Sequence, residues 1–172
     1  MKSLISFFYL FFSTFFTILI LYNLNGDRFM KEYFIFNIKV EFAKLYKDRP
    51  SELFYIFNRI YYMKEIEKEY GYNLFDQISN FYDKDYVNSF IYNRYKDKIM
   101  YSNNGNEHII NNLFLNEISI LRVKNSNLKI ETNYDKCTFL KDLRYFNGYL
   151  FVCNFKEQEY FFIKNIRSGI KN

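Results

Sequence analysis

The chain has 172 residues, is rich in Phe and Tyr, and contains one Pro, five Gly and no Trp. With two Cys and one His it cannot supply the four ligands of a structural zinc site from these residue types, so zinc-stabilised folds are excluded. The formal net charge of +5 lies in the last third, where residues 119–172 hold ten Lys or Arg against five Asp or Glu. The favoured residues have AT-rich codons, so genome bias explains many of the aromatic side chains without a stacking function.

The N-terminal segment is strongly apolar, and residues 4–22 contain no charged residue. A helix of this length, rising about 1.5 Å per residue, spans roughly the 30 Å of a bilayer's hydrocarbon core. The run is longer than the apolar part of a signal peptide, and no small-residue cleavage site follows it. The sequence therefore predicts an uncleaved signal-anchor in residues 1–26 that crosses the lipid bilayer through residues 4–22. A cleaved signal peptide and a buried core helix are the alternatives.

The side of the membrane on which the remainder lies is not decided by the count of basic residues near the anchor. Lys2 stands on one side, against Arg28, Lys31 and Lys39 on the other. Because long segments are translocated largely regardless of charge, we expect a single-pass membrane protein with its domain on the extracytoplasmic side.

Residues 27–172 are predicted to form a single α+β domain, mainly helical over 27–106 and mainly β over 107–172. Residues 36–42 alternate between apolar and polar side chains, which favours a strand, although a helical stripe fits nearly as well. Pro50 suits the first turn of a helix, and the apolar stripe that follows predicts a helix as far as Gly71. A second helix is expected after Asn73.

A third helix is expected from about Asp83 to the polar loop 103–106. Beyond this loop the periodicity becomes strand-like, which predicts an antiparallel β-meander with strands at 117–124, 128–132, 137–146, 149–155 and 159–164. Asn147-Gly148 is typical of a two-residue type I′ hairpin. In that register Cys137 and Cys153 lie too far apart for a disulfide, so both are predicted to be free thiols.

No residue is assigned a catalytic, cofactor-binding or metal-binding role. Glu65, Glu67 and Glu69 lie among lysines on the polar side of a predicted helix, which is typical of a solvated face. His108 lies beside a polar loop and is given no role. Five basic residues are candidates for binding a polyanion: Arg122, Lys124, Lys129, Lys141 and Arg144.

The predicted order of an anchor, helices and a meander resembles the membrane-anchored NTF2-like subunits of type IV secretion systems, at the level of element order alone. We expect a membrane-anchored, non-catalytic subunit or scaffold of an envelope assembly, which binds a protein partner and no small-molecule substrate. The alternative is a membrane-tethered protein that binds anionic lipid or nucleic acid through the basic C-terminal third. Salt dependence discriminates the two, because polyanion binding falls steeply with ionic strength.

Overall fold

The structure is a computed structural model that describes residues 30–163. In chain order, its first half contains β1 (Lys31–Ile38), α1 (Val40–Tyr46), α2 (Pro50–Tyr61), a short 3₁₀ helix (Glu65–Glu67), α3 (Lys68–Ile78), β2 (Ser79–Asn80) and α4 (Lys84–Tyr95). Its second half contains β3 (Tyr101–Asn104), β4 (Glu107–Asn112), β5 (Glu117–Val123), β6 (Leu128–Thr132), α5 (Thr138–Leu143), β7 (Tyr149–Asn154) and β8 (Glu159–Phe162).

The strands form one antiparallel sheet in the order β3-β4-β5-β6-β1-β7-β8, and β2 pairs with the end of β1. The N-terminal strand β1 thus lies between β6 and β7. This position explains why β1 is apolar on both faces. Tyr33 and Ile35 belong to one buried cluster, and Phe34, Phe36 and Ile38 belong to the other.

Helices cover both faces of the sheet. On the first face, α4 packs through Val87 and Ile91 and α5 packs through Phe139 and Leu143. On the second face, the buried side chains come from α1, α2 and α3, and they pack on β1, β7 and β8. On that same face, β4, β5 and β6 carry half-buried charged residues instead.

The helix termini follow local rules. Pro50 is the first residue of α2, as predicted, because its missing N–H is not needed there. Asp83 caps α4, since its Oδ1 accepts hydrogen bonds from the backbone N–H groups of Asp85 (3.0 Å) and Tyr86 (3.1 Å).

The predicted fold class needs a correction at the N-terminus. The predicted anchor, residues 4–22, lies outside the described residues, and among residues 30–163 no helix is long and apolar enough to cross a bilayer. The architecture is α+β with an antiparallel sheet, and the transmembrane helix in the predicted class is wrong on this finding. The same finding contradicts the predictions of a single-pass membrane protein and of a domain on the extracytoplasmic side.

The bounds of several predicted elements are wrong. The strand predicted at 36–42 is present only as far as Ile38, and helix α1 begins at Val40. The predicted helix ending at Gly71 stops at Tyr61 instead, and Gly71 lies inside α3. Four of the five predicted C-terminal strands are found, but most of the segment 137–146 forms helix α5.

The predicted Asn147-Gly148 hairpin does not form. Tyr149 begins β7, which pairs with β1 and not with the segment before it. A type I′ turn needs positive φ at both central residues, whereas here Gly148 has a φ of 137° and Asn147 does not have a positive φ. A Cβ atom on residue 148 would lie 2.7 Å from Oδ1 of Asn37, so a side chain here would also have to displace the Asn37 amide.

Candidate functional site

An apolar groove of about 550 Å³ opens between the helices of the second face and the edge of the covered sheet. Its volume lies within the range of about 300–1,000 Å³ that is usual for ligand sites. The strand β1 forms its floor, α2 and α3 form its walls, and the turn between β5 and β6 closes one side. The lining residues are Phe34, Phe36, Phe57, Ile60, Tyr61, Met63, Lys68, Gly71, Tyr72, Phe75, Phe81, Lys124, Ser126 and Asn127. We call this site the aromatic groove.

The groove exists because α2 and α3 are separate helices. The chain leaves the helical conformation after Tyr61, and the 3₁₀ helix at Glu65–Glu67 then starts α3 in a new direction. Aromatic side chains from both helices reach the floor, where the rings of Phe36 and Phe57 stack with centroids 4.1 Å apart. Phe75 meets the same pair edge-on, 6.1 Å from Phe36. The floor and the adjoining walls of the groove are therefore lined with packed aromatic rings.

The mouth of the groove carries exposed aromatic residues. Tyr72 is 59% exposed and contacts Phe81, which is 42% exposed, with ring centroids 6.0 Å apart. Tyr61 is 46% exposed, although its ring stacks on Phe155 at 4.4 Å. Burial, followed by the Glu32 carboxylate, raises the pKa of Tyr61 above its usual value, so this phenol stays neutral at physiological pH.

The polar groups of the groove are few. Lys68 and Lys124 lie on its rim, and Lys68 pairs with Glu65. Oδ1 of Asn127 is buried and has no hydrogen-bond partner among the described residues, while its Nδ2 donates to Ser126 at 3.0 Å. The groove therefore offers aromatic contact area and a basic rim.

A second polar cluster surrounds the buried His108 on the opposite face of the sheet. Its Nε2 lies 2.9 Å from Oδ1 of Asn88, and its Nδ1 lies 2.7 Å from the Tyr101 hydroxyl. Burial lowers the pKa of His108 to about 4, so the ring is neutral at physiological pH. Its partners are amides and a phenol. This cluster fastens α4 to β4 and presents no nucleophile.

A third cluster surrounds the fully buried carboxylate of Glu117. It accepts hydrogen bonds from the Ser119 hydroxyl (2.7 Å), the Thr138 backbone N–H (2.8 Å) and the Thr138 hydroxyl (2.5 Å). Burial raises the pKa of the neighbouring Cys137 thiol, which disfavours a reactive thiolate. The cluster caps helix α5.

Across residues 30–163, no group of three His, Cys, Asp or Glu side chains is placed to hold a metal ion.

The sequence of the domain matches the family model described as sporulation inhibitor of replication protein SirA, over residues 31–167. The chain belongs to the SirA family. No curated protein matches it. The SirA match begins at the first residue of β1 and includes all the helices and strands described above, so the aromatic groove lies within the family domain.

In this SirA-family domain, the five candidate polyanion-binding residues do not form one surface. Arg122 and Lys129 lie on the uncovered part of the second face, each paired with glutamates. Lys141 lies in α5 and Arg144 directly follows this helix, both on the first face. Lys124 lies in the β5–β6 turn. The sheet thus separates the candidates.

Glu65, Glu67 and Glu69 are exposed, and Glu65 forms an ion pair with Lys68.

Cys137 and Cys153 are both buried, and neither forms a disulfide. The register argument for free thiols was nevertheless wrong, because Cys153 pairs across the sheet with Phe34 and Cys137 lies just before α5.

The residues of the aromatic groove were not predicted as a site. The sequence did contain a signal, because residues 61–72 include four tyrosines and Ile66. In the structure Ile66 is 92% exposed. Codon bias offered a sufficient explanation for these aromatic residues, and only the turn between α2 and α3 brings two of them, Tyr61 and Tyr72, to the groove.

Proposed function

We propose that this chain is an inhibitor of DNA replication that works without catalysis, by binding a protein of the replication machinery through the aromatic groove. Two observations support the proposal. The family to which the chain belongs is described as a sporulation inhibitor of replication. The groove combines a floor of packed aromatic rings with exposed tyrosines at its mouth, which is the composition of the energetic centre of many protein interfaces.

The expected mechanism is occupation of a partner's surface. An apolar side chain of the partner enters the groove and packs on Phe36 and Phe57, while Tyr61 and Tyr72 close around it. Lys124 on the rim favours an acidic residue beside the anchor. The bound partner is then blocked from its normal contacts.

The polyanion alternative has weaker support, because Arg122 and Lys129 are held by glutamates and the remaining candidates lie elsewhere. The predicted envelope scaffold depended on the membrane anchor, and it is not retained. The expectation that the chain is not an enzyme becomes part of the present proposal.

The test is the induced expression of the full-length chain in growing cells of a spore-forming bacterium. The origin-to-terminus ratio of chromosomal DNA reports replication initiation. We expect the native chain to lower this ratio. Tyr72→Ser should abolish most of the effect, because an interface tyrosine contributes about 2 kcal/mol.

The matched control is Tyr55→Ser, which removes a tyrosine of similar exposure, 69%, that does not line the groove. Tyr55→Ser should inhibit replication like the native chain. Full inhibition by Tyr72→Ser at equal protein level would refute the role of the groove. No inhibition by the native chain would refute the function itself.

A further inference from the structure

The turn between β4 and β5 carries large apolar side chains that nothing covers among the described residues. We call residues 112–116 the β4–β5 tip. Leu113 is 86% exposed and Phe114 is 101% exposed. Turns are normally polar, because their residues face water. Two such exposed apolar side chains in sequence are costly for solubility unless they have a function.

The tip is held in one conformation. Oδ1 of Asn112 accepts hydrogen bonds from the backbone N–H groups of Phe114 (3.1 Å) and Leu115 (3.3 Å). Asn116 adopts a positive φ of 49°, and its carbonyl accepts a hydrogen bond from Nδ2 of Asn133 at 3.0 Å. Because the backbone is ordered in advance, binding through the tip loses little conformational entropy.

The apolar surface extends beyond the tip. The backbone N–H of Asn111 donates to the Met100 carbonyl at 2.8 Å, which places Ile99 at the same end of the sheet. Ile99 is 106% exposed. From Ile109 to Asn116 there is no charged residue, in a chain of which 25% of residues are charged. Along the chain, the tip is thus an apolar segment flanked by asparagines.

We propose that the β4–β5 tip is a second docking element, which inserts Phe114 and Leu113 into an apolar pocket with an uncharged rim on a protein partner. A projection needs a concave partner. An uncharged rim is favoured because a charged group facing the tip would lose its hydration without gaining a counter-charge. An anionic lipid surface is bound through Lys and Arg, and the tip has neither.

The β4–β5 tip is separate from the aromatic groove. Strand β5 runs for seven residues between the tip and the β5–β6 turn that closes the groove. At about 3.3 Å per residue the two ends are roughly 23 Å apart. One side chain of a partner cannot occupy both places, so the tip provides an independent contact.

The first test is photocrosslinking in living cells. Full-length chains carrying p-benzoylphenylalanine at position 114 or, as a control, at position 55 are expressed and irradiated. We expect one discrete protein adduct from position 114 and none of that mass from position 55. Mass spectrometry of the adduct should place the crosslink in an apolar pocket of the partner. An adduct of twice the chain's own mass, an adduct with lipid, or no adduct would overturn the proposal.

The second test measures affinity with the purified crosslinked protein and the full-length chain. Phe114→Ser should weaken binding about 30-fold, as the loss of a central aromatic contact does, and Phe114→Leu should retain most of it. Tyr55→Ser should bind like the native chain, and circular dichroism checks that all variants fold. Unchanged binding by Phe114→Ser would overturn the proposal. The proposed function fails separately, through Tyr72→Ser in the replication assay.

Discussion

The Tyr101 hydroxyl donates a hydrogen bond to Nδ1 of His108 across 2.7 Å, while Nε2 of the same ring donates to Oδ1 of Asn88 across 2.9 Å. Nδ1 is also 3.2 Å from Nδ2 of Asn103, a group that can only donate. All three contacts require the neutral ring with its proton on Nε2. A proton on Nδ1 would face the Asn103 amide donors.

The first prediction is that acid destabilises the domain through His108. Burial lowers the pKa of His108 from 6.5 to about 4. The unfolded chain therefore binds a proton that the folded chain excludes, and stability is present above pH 6.5 and is lost as the pH falls towards 4. Between pH 7.5 and 4.5 this group should remove about 2 kcal/mol from the free energy of unfolding.

Urea unfolding at both pH values measures this loss. His108→Gln keeps hydrogen-bonding capacity but does not titrate, so its free energy of unfolding should fall less over the same interval. Equal losses in the native chain and in His108→Gln would show that other groups carry the pH dependence.

The second prediction concerns the Glu117 carboxylate, which caps helix α5 from strand β5. Glu117→Ala removes three hydrogen bonds and leaves the Thr138 N–H without its partner in a buried site. Because hydrogen bonds to a charged group contribute about 1.5–3 kcal/mol, a loss of about 3 kcal/mol is expected. Glu52→Ala, at a half-exposed carboxylate, should cost under about 0.5 kcal/mol. Equal urea midpoints for the two variants would contradict the role of the cap.

The Glu117 cap also explains a failure of sequence reasoning. The segment from Cys137 to Phe146 alternates well enough to predict a strand, but Phe139, Leu140 and Leu143 are also spaced as one face of a helix. The contact that favours the helix comes from a residue 21 positions earlier. A window of local sequence cannot contain such a contact.

Other elements were predictable because their determinants are local. Pro50 and Asp83 mark helix starts through their own backbone and side-chain chemistry. Strand β6 and the second half of β5 have alternating apolar residues on the side that faces the core. The central position of β1 was not predictable in this way, since pairing of residue 31 with residue 132 is a tertiary contact. The aromatic groove depends on a break between two helices that one continuous apolar stripe conceals.

The third prediction concerns Gly71 inside α3, where an added Cβ would lie 2.8 Å from Sδ of Met63. Alanine should stabilise the helix by about 1 kcal/mol, and displacement of the flexible Met63 side chain should offset part of this gain. Met63 lines the aromatic groove, so Gly71→Ala should weaken replication inhibition while changing stability little.

The matched variant for Gly71 is the double change Gly71→Ala with Met63→Ala, tested against Met63→Ala alone. Without the methionine sulfur, alanine at position 71 should give its full gain of about 1 kcal/mol in urea unfolding. Equal gains with and without Met63 would show that the side chain does not resist the added methyl group.

The last prediction concerns a line of ion pairs across the uncovered part of the second face. Arg122 lies 2.6 Å from Glu107 on β4 and 2.6 Å from Glu131 on β6, and Lys129 lies 2.9 Å from Glu131. Burial acts to raise the pKa of Glu131, but the hydrogen bonds from Arg122 and Lys129 hold it below its usual value. Arg122 thus lies between two carboxylates on the neighbouring strands and pairs with both.

Arg122→Ala should cost about 1 kcal/mol at low salt, since the side chains are about a third exposed and water screens part of their interaction. The cost should shrink at high ionic strength because mobile ions screen the charges. Lys124→Ala, in the exposed turn that follows the same strand, is the control and should change stability little. Urea midpoints at low and high salt measure both variants. If Arg122→Ala were as stable as Lys124→Ala at low salt, the ion pairs would contribute no net stability and the prediction would be refuted.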